Sequence, residues 1–229
     1  MTPSAIMENK IRVAIVDDHP LVREGLRARL GTLPDMEVCG EAATMTEAMA
    51  VIRATQPQLA VVDLALQQGH GLELIKRIRM EGCTAKILVM SAYPESLFAE
   101  RALRAGADGY IGKDALQEHV IDAIRCVLRG EPYLSAAMSK RLLTQMVRAG
   151  NKRHGLESLT DREMQIFELI GQGLSTSEIA ARLSLSVHTI ETHREKIRHK
   201  LHLRNGTELV VRAVEWQLNH FAADEHVDS

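Results

Sequence analysis

Four short apolar runs, each closed by a polar or charged residue, restrict what this chain can fold into. Residues 13–16 (Val-Ala-Ile-Val) lead into Asp17 and Asp18, and 59–62 (Leu-Ala-Val-Val) lead into Asp63. Residues 87–90 (Ile-Leu-Val-Met) lead into Ser91, and Tyr110-Ile111-Gly112 leads into Lys113. Runs this short, with β-branched residues at their centres, read as strands buried on both faces of a parallel sheet. A buried strand that ends in a bare carboxylate is costly unless a partner offsets the desolvation. Here the partners follow in order along the chain: three acids, a hydroxyl and an ammonium. Helix capping alone would account for Asp18 or Asp63 taken singly, but not for all five in this order. Open α/β sheets carry their sites outside the carboxyl ends of the strands, and this set of side chains belongs at that edge.

Helical patterns fill the intervals. The segment after His19-Pro20 places Leu21, Val22, Leu26 and Leu30 on one face, and 37–42 forms a further short strand. Thr46 is expected to cap a helix carrying Ala48, Met49 and Ile52, which stops at Gln56-Pro57. A glycine-containing loop at 67–71 precedes a helix with Leu72, Leu74, Ile75 and Ile78, and further helices are expected at 94–105 and 115–128. Five alternations of strand and helix predict an α/β fold with a doubly wound, five-stranded parallel sheet. Neither GxGxxG nor GxxxxGK[ST] occurs, so dinucleotide and P-loop chemistry are unsupported.

Beyond Gly130-Glu131-Pro132 the strands cease. A helix is expected at 135–148, and 149–155 is a polar, glycine-flanked linker. Thr160-Asp161-Arg162-Glu163 is a capping box opening a helix that ends at Gly171 or Gly173. A short helix from Ser175 to Leu183, a turn at 184–186, and helices at 187–201 and 207–218 complete an all-α helix-turn-helix unit. The domain boundaries are thus 10–130, 131–157 for helix and linker, and 158–221.

Composition enters mainly as exclusion. The chain has 229 residues, of which 45% are hydrophobic, and a formal net charge of −2, values that by themselves call for neither nucleic acid nor membrane. Cys39, Cys83 and Cys126 are scattered and include no CxxC, so neither a disulfide frame nor a thiolate metal site is expected. No run reaches the roughly 18 apolar residues of a membrane span, and residues 1–9 lack the pattern of a signal peptide. A cytoplasmic location is therefore expected.

The acids at 17, 18 and 63 suit Mg²⁺, which takes carboxylate oxygens and keeps several waters. Such an ion would let the acids cluster and would neutralise an incoming phosphoryl group. Asp63, central among them, is the candidate nucleophile that becomes an acyl phosphate, with Ser91 and Lys113 offering a hydroxyl and a cation to the added oxygens. The motifs Val-Asp-Asp-His-Pro (16–20), Val-Val-Asp-Leu (61–64), Met-Ser-Ala (90–92) and Gly-Tyr-Ile-Gly-Lys-Asp (109–114) stand in register along 11–130. In these the chain resembles the receiver domain of two-component response regulators, a flavodoxin-like fold. Leu-Thr-Asp-Arg-Glu (159–163), Glu-Ile-Ala (178–180) and Thr-Ile-Glu-Thr-His (189–193) resemble the LuxR-type helix-turn-helix. The order of the two is that of the NarL/FixJ family. The resemblance implies phosphorylation of Asp63 by a cognate sensor histidine kinase, Mg²⁺ at Asp17, Asp18, Asp63 and the Ala65 carbonyl, and Ser91 and Tyr110 as switch residues. Two departures stand out: Gln67 where receivers often carry proline, and Asp114 after the lysine where many carry proline. A cis bond before a non-proline residue costs about 3–4 kcal/mol, so the Lys113–Asp114 bond is expected to be trans.

Within 188–204, Arg194, Lys196, Arg198, Lys200 and Arg204 outnumber Glu191 and Glu195, and His188, His193, His199 and His202 add partial charge. This is an electrostatic footprint for the phosphates of double-stranded DNA. The candidate DNA-contacting residues are His188, Thr189, Glu191, Thr192, Arg194, Glu195, Lys196, Arg198 and Lys200; by resemblance Glu191, Thr192 and Glu195 meet base edges. The alternative for both glutamates is pairing within the helix. Helix-turn-helix proteins commonly bind as dimers, and apolar Val211 and Val214 are candidates for a homodimer contact. Two other functions compete with a phosphorylation-activated transcription regulator. One is an aspartate-nucleophile phosphatase, opposed by the fused helix-turn-helix. The other is a DNA-binding protein whose receiver only dimerises, opposed by the complete set of acids, serine and lysine.

Overall fold

The computed structural model describes residues 10–66, 69–147 and 155–221. The first nine residues, the departure at Gln67 and nearly all of the linker at 149–155 lie outside these. The described chain divides into two compact units, one comprising the residues up to Ser91 with Ala102–Ser135, the other Ala92–Arg101 with the residues from Ala136 onward.

In the first unit, β1 (Ile11–Val16), α1 (Pro20–Gly31), β2 (Met36–Ala42), α2 (Met45–Thr55), β3 (Leu59–Val62), α3 (Gly71–Met80), β4 (Lys86–Ser91), α4 (Glu95–Ala105), β5 (Gly109–Gly112) and α5 (Leu116–Leu128) follow in order. The division between units falls inside α4. All strand pairs are parallel, and the order is β2-β1-β3-β4-β5. The strand order therefore reverses between β1 and β3, and the carboxyl ends of those two strands flank the crevice that such a reversal opens.

Burial explains the strands. Every residue of β3 is buried, which an alternating, half-solvated strand could not tolerate. Val13, Ile15, Val61, Leu88 and Met90 pack with Leu26 and Leu30 of α1 and with Val120, Ile124 and Val127 of α5. Their neighbours Ala14, Val16, Ala60, Val62 and Val89 point to the opposite face and are equally buried. Each such side chain contributes about 1.5–3 kcal/mol, so register slips that would reverse the faces are strongly disfavoured.

Helix starts follow their caps. Helix α2 opens at Thr44, not at Thr46, because only Thr44 has a glutamate three residues on: its hydroxyl accepts from Glu47 N–H while Glu47 reaches back to Thr44 N–H. Helix α3 begins hard against the end of β3. A Cβ at Gly71 would lie 2.3 Å from the Asp63 carbonyl oxygen, so only glycine allows the helix to start there.

The second unit is helical beyond α4: α6 (Ala136–Val147), α7 (Asp161–Gly171), α8 (Thr176–Arg182), α9 (Val187–Lys200) and α10 (Gly206–Phe221). Thr160 with Glu163 and Ser175 with Glu178 form capping boxes, and Ser186 caps α9 by accepting from Thr189 N–H; each cap stabilises its helix by about 1 kcal/mol. Ile166, Phe167, Ile170, Ile179, Ile190, Ile197, Leu209 and Ala213 form the buried interior. Helices α7 and α10 approach closely enough that a Cβ at Gly171 would lie 2.5 Å from the Ala213 carbonyl. The turn between α8 and α9 passes through Ser184 at φ +53°, with Leu185 N–H donating to the Ala180 carbonyl at 2.9 Å. Among the described residues no helix is long and apolar enough to cross a membrane.

Candidate phosphoacceptor site and helix-turn-helix face

The acids reach one place because the strand ends are pinned together. Asp63 N–H donates to the Val16 carbonyl at 2.8 Å, and Asp17 N–H to the Ala42 carbonyl at 3.1 Å. The backbone bonds of β1 thereby extend past its end and set Asp17 beside Asp63. Asp17 is 0% exposed and Asp63 1%. Such carboxylates need compensation, and Lys113 from the segment after β5 supplies it. Its ammonium lies 2.7 Å from Asp63 Oδ2 and 2.9 Å from Asp17 Oδ2. Ser91 is buried, and in the β4–β5 register it stands opposite Gly112, the residue before Lys113. Tyr110 is buried within β5. Among the described residues no cis peptide bond occurs, so the Lys113–Asp114 bond is trans as expected.

The electrostatics follow from this crowding. Burial pushes the Asp63 carboxyl up from 3.8 to about 6; Lys113 works against this and Asp17 adds to it. Burial also works to lower the Lys113 ammonium, but Asp63 and Asp17 outweigh it and hold the group above its ordinary value. The two shifts are compatible: the lysine faces two anions, whereas Asp63 faces one cation and another anion. On its other oxygen, Asp63 Oδ1 accepts from Ala65 N–H at 3.2 Å.

Two residues at this site were not legible as participants from sequence. Arg23 of α1 donates to the Asp17 carbonyl at 2.6 Å and so holds the end of β1. His19 places Nδ1 2.8 Å from Asp18 Oδ1 and 3.2 Å from Asp17 Oδ1. One donor atom from each of Asp17, Asp18, His19 and Asp63 lies within 4.8 Å of the others. Predominantly carboxylate oxygens at this spacing fit a hard divalent cation.

On the second unit, α9 buries Ile190 and Ile197 and exposes His188, Glu191, Thr192, Glu195, Lys196 and His199. Positions 188, 191, 192, 195 and 199 recur at helical spacing and share one face. Thr189, Arg194, Arg198 and Lys200 are half-buried. The charges of several are engaged within the unit. Lys200 Nζ lies 2.6 Å from Glu163 Oε2 and donates to the Ser158 carbonyl at 3.2 Å. Arg198 donates to Glu195 at 2.6 Å and to the Arg204 carbonyl at 2.8 Å. Glu195 thus pairs at i,i+3, while Glu191 accepts from Thr176 of α8 at 3.0 Å and stands 3.8 Å from Arg194. Burial first, and Lys196 next, hold the His193 imidazole below its ordinary value, so it adds less charge than a count along the sequence assigns to it.

Residues 13–125 match the family described as "Response regulator receiver domain", and 157–213 match "Bacterial regulatory proteins, luxR family". The chain is 35% identical over 209 residues to response regulator protein VraR of Staphylococcus aureus, covering 91% of this chain and 98% of that one. It is 33% identical over 210 residues to the uncharacterized transcriptional regulatory protein YxjL of Bacillus subtilis, covering 90% and 96%. Among solved structures, a LuxR-family two-component response regulator from Aurantimonas is similar at 35% identity and a TM-score of 0.56, covering 60% of this chain and 99% of that one. RcsB of Salmonella enterica bound to promoter P1flhDC shares the fold at 24% identity and a TM-score of 0.70, covering 90% and 100%.

One test separates the roles of the buried charges. In chelator, Asp63 binds its proton more tightly in the folded chain than in the unfolded one between pH 3.8 and about 6. Its contribution to stability therefore falls as pH rises through that window and stays low above it. Asp63→Asn removes this cost and leaves Lys113 paired with Asp17, so it should raise the urea midpoint at pH 7, with the gain shrinking towards pH 4. Lys113→Ala strands two buried acids and should lower the midpoint at pH 7 by the equivalent of about 3–5 kcal/mol. An Asp63→Asn protein no more stable than wild type at pH 7 would contradict the account.

Proposed function

Because the chain belongs to the response regulators that join a receiver domain to a LuxR-type DNA-binding domain, the NarL/FixJ arrangement, we propose that Asp63 is its phosphoacceptor and that phosphorylation governs its binding to DNA. The observation that carries this reading is the Lys113 ammonium 2.7 Å from Asp63 Oδ2 amid the buried acids of β1. In transfer from a sensor histidine kinase, the phosphorus–nitrogen bond of a phosphohistidine breaks as a bond forms to an Asp63 oxygen, and the imidazole leaves with its electron pair. Asp63 is the nucleophile. Lys113 and Ser91 receive the added phosphoryl oxygens, and Tyr110 and Ser91 carry the change onward as switch residues. Asp17, Asp18, Asp63 and the Ala65 carbonyl would hold Mg²⁺, which supplies charge neutralisation when bound.

The protein assists only its own phosphorylation and dephosphorylation and has no separate substrate. It acts in the cytoplasm, where kinase and DNA are both accessible. Double-stranded DNA meets the exposed face of α9. The homodimer contact falls on α10, where Val211 is 51% exposed beside half-buried Val214, with exposed Val210 and Leu218 extending the stripe.

Intact mass after incubation with acetyl phosphate and Mg²⁺ tests the acceptor. The wild type should gain one phosphoryl group and Asp63→Asn none; equal incorporation by both would place the acceptor elsewhere.

A second test divides the α9 residues. Lys196→Ala or Arg198→Ala should weaken binding similarly on any duplex and reduce the salt slope by about one. Glu191→Ala or Thr192→Ala should instead change which duplexes are selected from a randomised pool, since side chains on that face read base edges. Lys200→Ala should in addition destabilise the helical unit, because it leaves buried Glu163 without its ammonium. An unchanged selection by both the Glu191 and Thr192 variants would defeat the assignment of base contacts.

A further inference from the structure

We propose that His19 is a fifth protein donor to the divalent ion, beside Asp17, Asp18, Asp63 and the Ala65 carbonyl, making the acceptor site a mixed oxygen and nitrogen site that holds a first-row transition dication such as Mn²⁺ more tightly, relative to Mg²⁺, than the oxygen donors alone would. The inference rests on the reading of the acid cluster as a cation site.

Three observations carry it. First, His19 stands at the N-cap of α1, where an oxygen side chain is the usual choice, yet it makes no capping hydrogen bond. The ring is not employed in closing the helix. Second, Nδ1 is turned to the acids, 2.8 Å from Asp18 Oδ1 and 3.2 Å from Asp17 Oδ1. The His19 backbone N–H donates to Asp17 Oδ1 at 2.8 Å, which fixes the segment so that the ring stays over the cluster. Third, Asp17 is fully buried and its Oδ2 already draws the Lys113 ammonium to 2.9 Å. Asp18 Oδ1 is likewise buried, with the imidazole nitrogen 2.8 Å away. Buried carboxylate oxygens so placed are suited to a cation.

The dimensions agree with a single shell. Metal–ligand bonds of about 2.0–2.2 Å set donors roughly 3 Å apart when adjacent and a little over 4 Å apart when opposite. The four donor atoms lie within 4.8 Å of one another, so small movements suffice. Coordination through Nδ1 uses the ring tautomer with its proton on Nε2. Carboxylate and water suit both Mg²⁺ and Mn²⁺, but an imidazole nitrogen adds more to the binding of a first-row transition dication than to that of Mg²⁺. The side chain of His19 is 55% exposed, so its replacement leaves no cavity.

Electron paramagnetic resonance on the full chain with Mn²⁺ as the probe tests this directly. Free Mn²⁺ gives the affinity; electron spin-echo modulation reports a directly bound ¹⁴N; competition with Mg²⁺ gives the relative preference. Wild type should show ¹⁴N coupling. His19→Ala and His19→Asn should lose it and bind Mn²⁺ at least about 10-fold more weakly, the range that loss of a ligand-orienting group already produces. Their Mg²⁺ affinity should change several-fold less. Mn²⁺ bound by wild type without ¹⁴N coupling, or coupling that persists in both variants, would overturn the role of His19 while leaving the cation site standing. Absence of Mn²⁺ binding to wild type would overturn both.

Discussion

One ammonium held among buried carboxylates underlies the functional end of the receiver unit. Without Lys113, Asp17 and Asp63 would be two like charges sharing a dry site, and one of them would have to remain protonated. With it, Asp63 still sits near 6, so the free protein is poised rather than satisfied. This poise explains the geometry around it. The strand ends are over-determined by backbone bonds from Asp17 and Asp63, by the Arg23 guanidinium on the Asp17 carbonyl, and by the close start of α3 that Gly71 permits. Each of these fixes a carboxylate that would otherwise move apart from its neighbour. Such strain in charge is what the proposed acceptance of a dication and a phosphoryl group requires before they arrive.

The strands were legible because their burial is complete: a run such as 59–62 has no polar residue to dilute the signal, and its length excludes a helix. The gathering of Asp17, Asp18, Asp63 and Lys113 was legible too, since parallel strands deliver the residues at their carboxyl ends to one edge of the sheet. The α7 capping box was read correctly from Thr160 and Glu163. In α2 the same pairing of threonine with a glutamate three residues on is present at Thr44 and absent at Thr46, which is why the helix starts two residues earlier than expected. His19 is different in kind. Its spacing from Asp17 and Asp18 does not say which way the ring turns; that depends on the backbone at the end of β1, which only the fold supplies.

The helix-turn-helix unit shows the same distinction with charge. Counting Lys and Arg along 188–204 locates the footprint, but it cannot tell an ammonium aimed outward from one turned inward. Lys200 is spent on buried Glu163 and the Ser158 carbonyl, and burial holds the His193 imidazole below its ordinary value, whereas Lys196 and the polar face from His188 to His199 remain exposed. The surface offered to DNA is thus narrower than the composition of the helix suggests. On the proposed reading, a narrower face places more of the discrimination on Glu191 and Thr192, since contacts to phosphate position a protein without reading sequence.

The central claim is that the state of Asp63 governs the DNA affinity of the intact chain. Fluorescence anisotropy at fixed salt measures this on a duplex selected from a randomised pool, with and without acetyl phosphate and Mg²⁺. Coupling between two sites in one protein typically changes affinity about 5-fold or more. The account predicts a change of that size in the wild type and none in Asp63→Asn; equal affinity of phosphorylated and unphosphorylated wild type would contradict it.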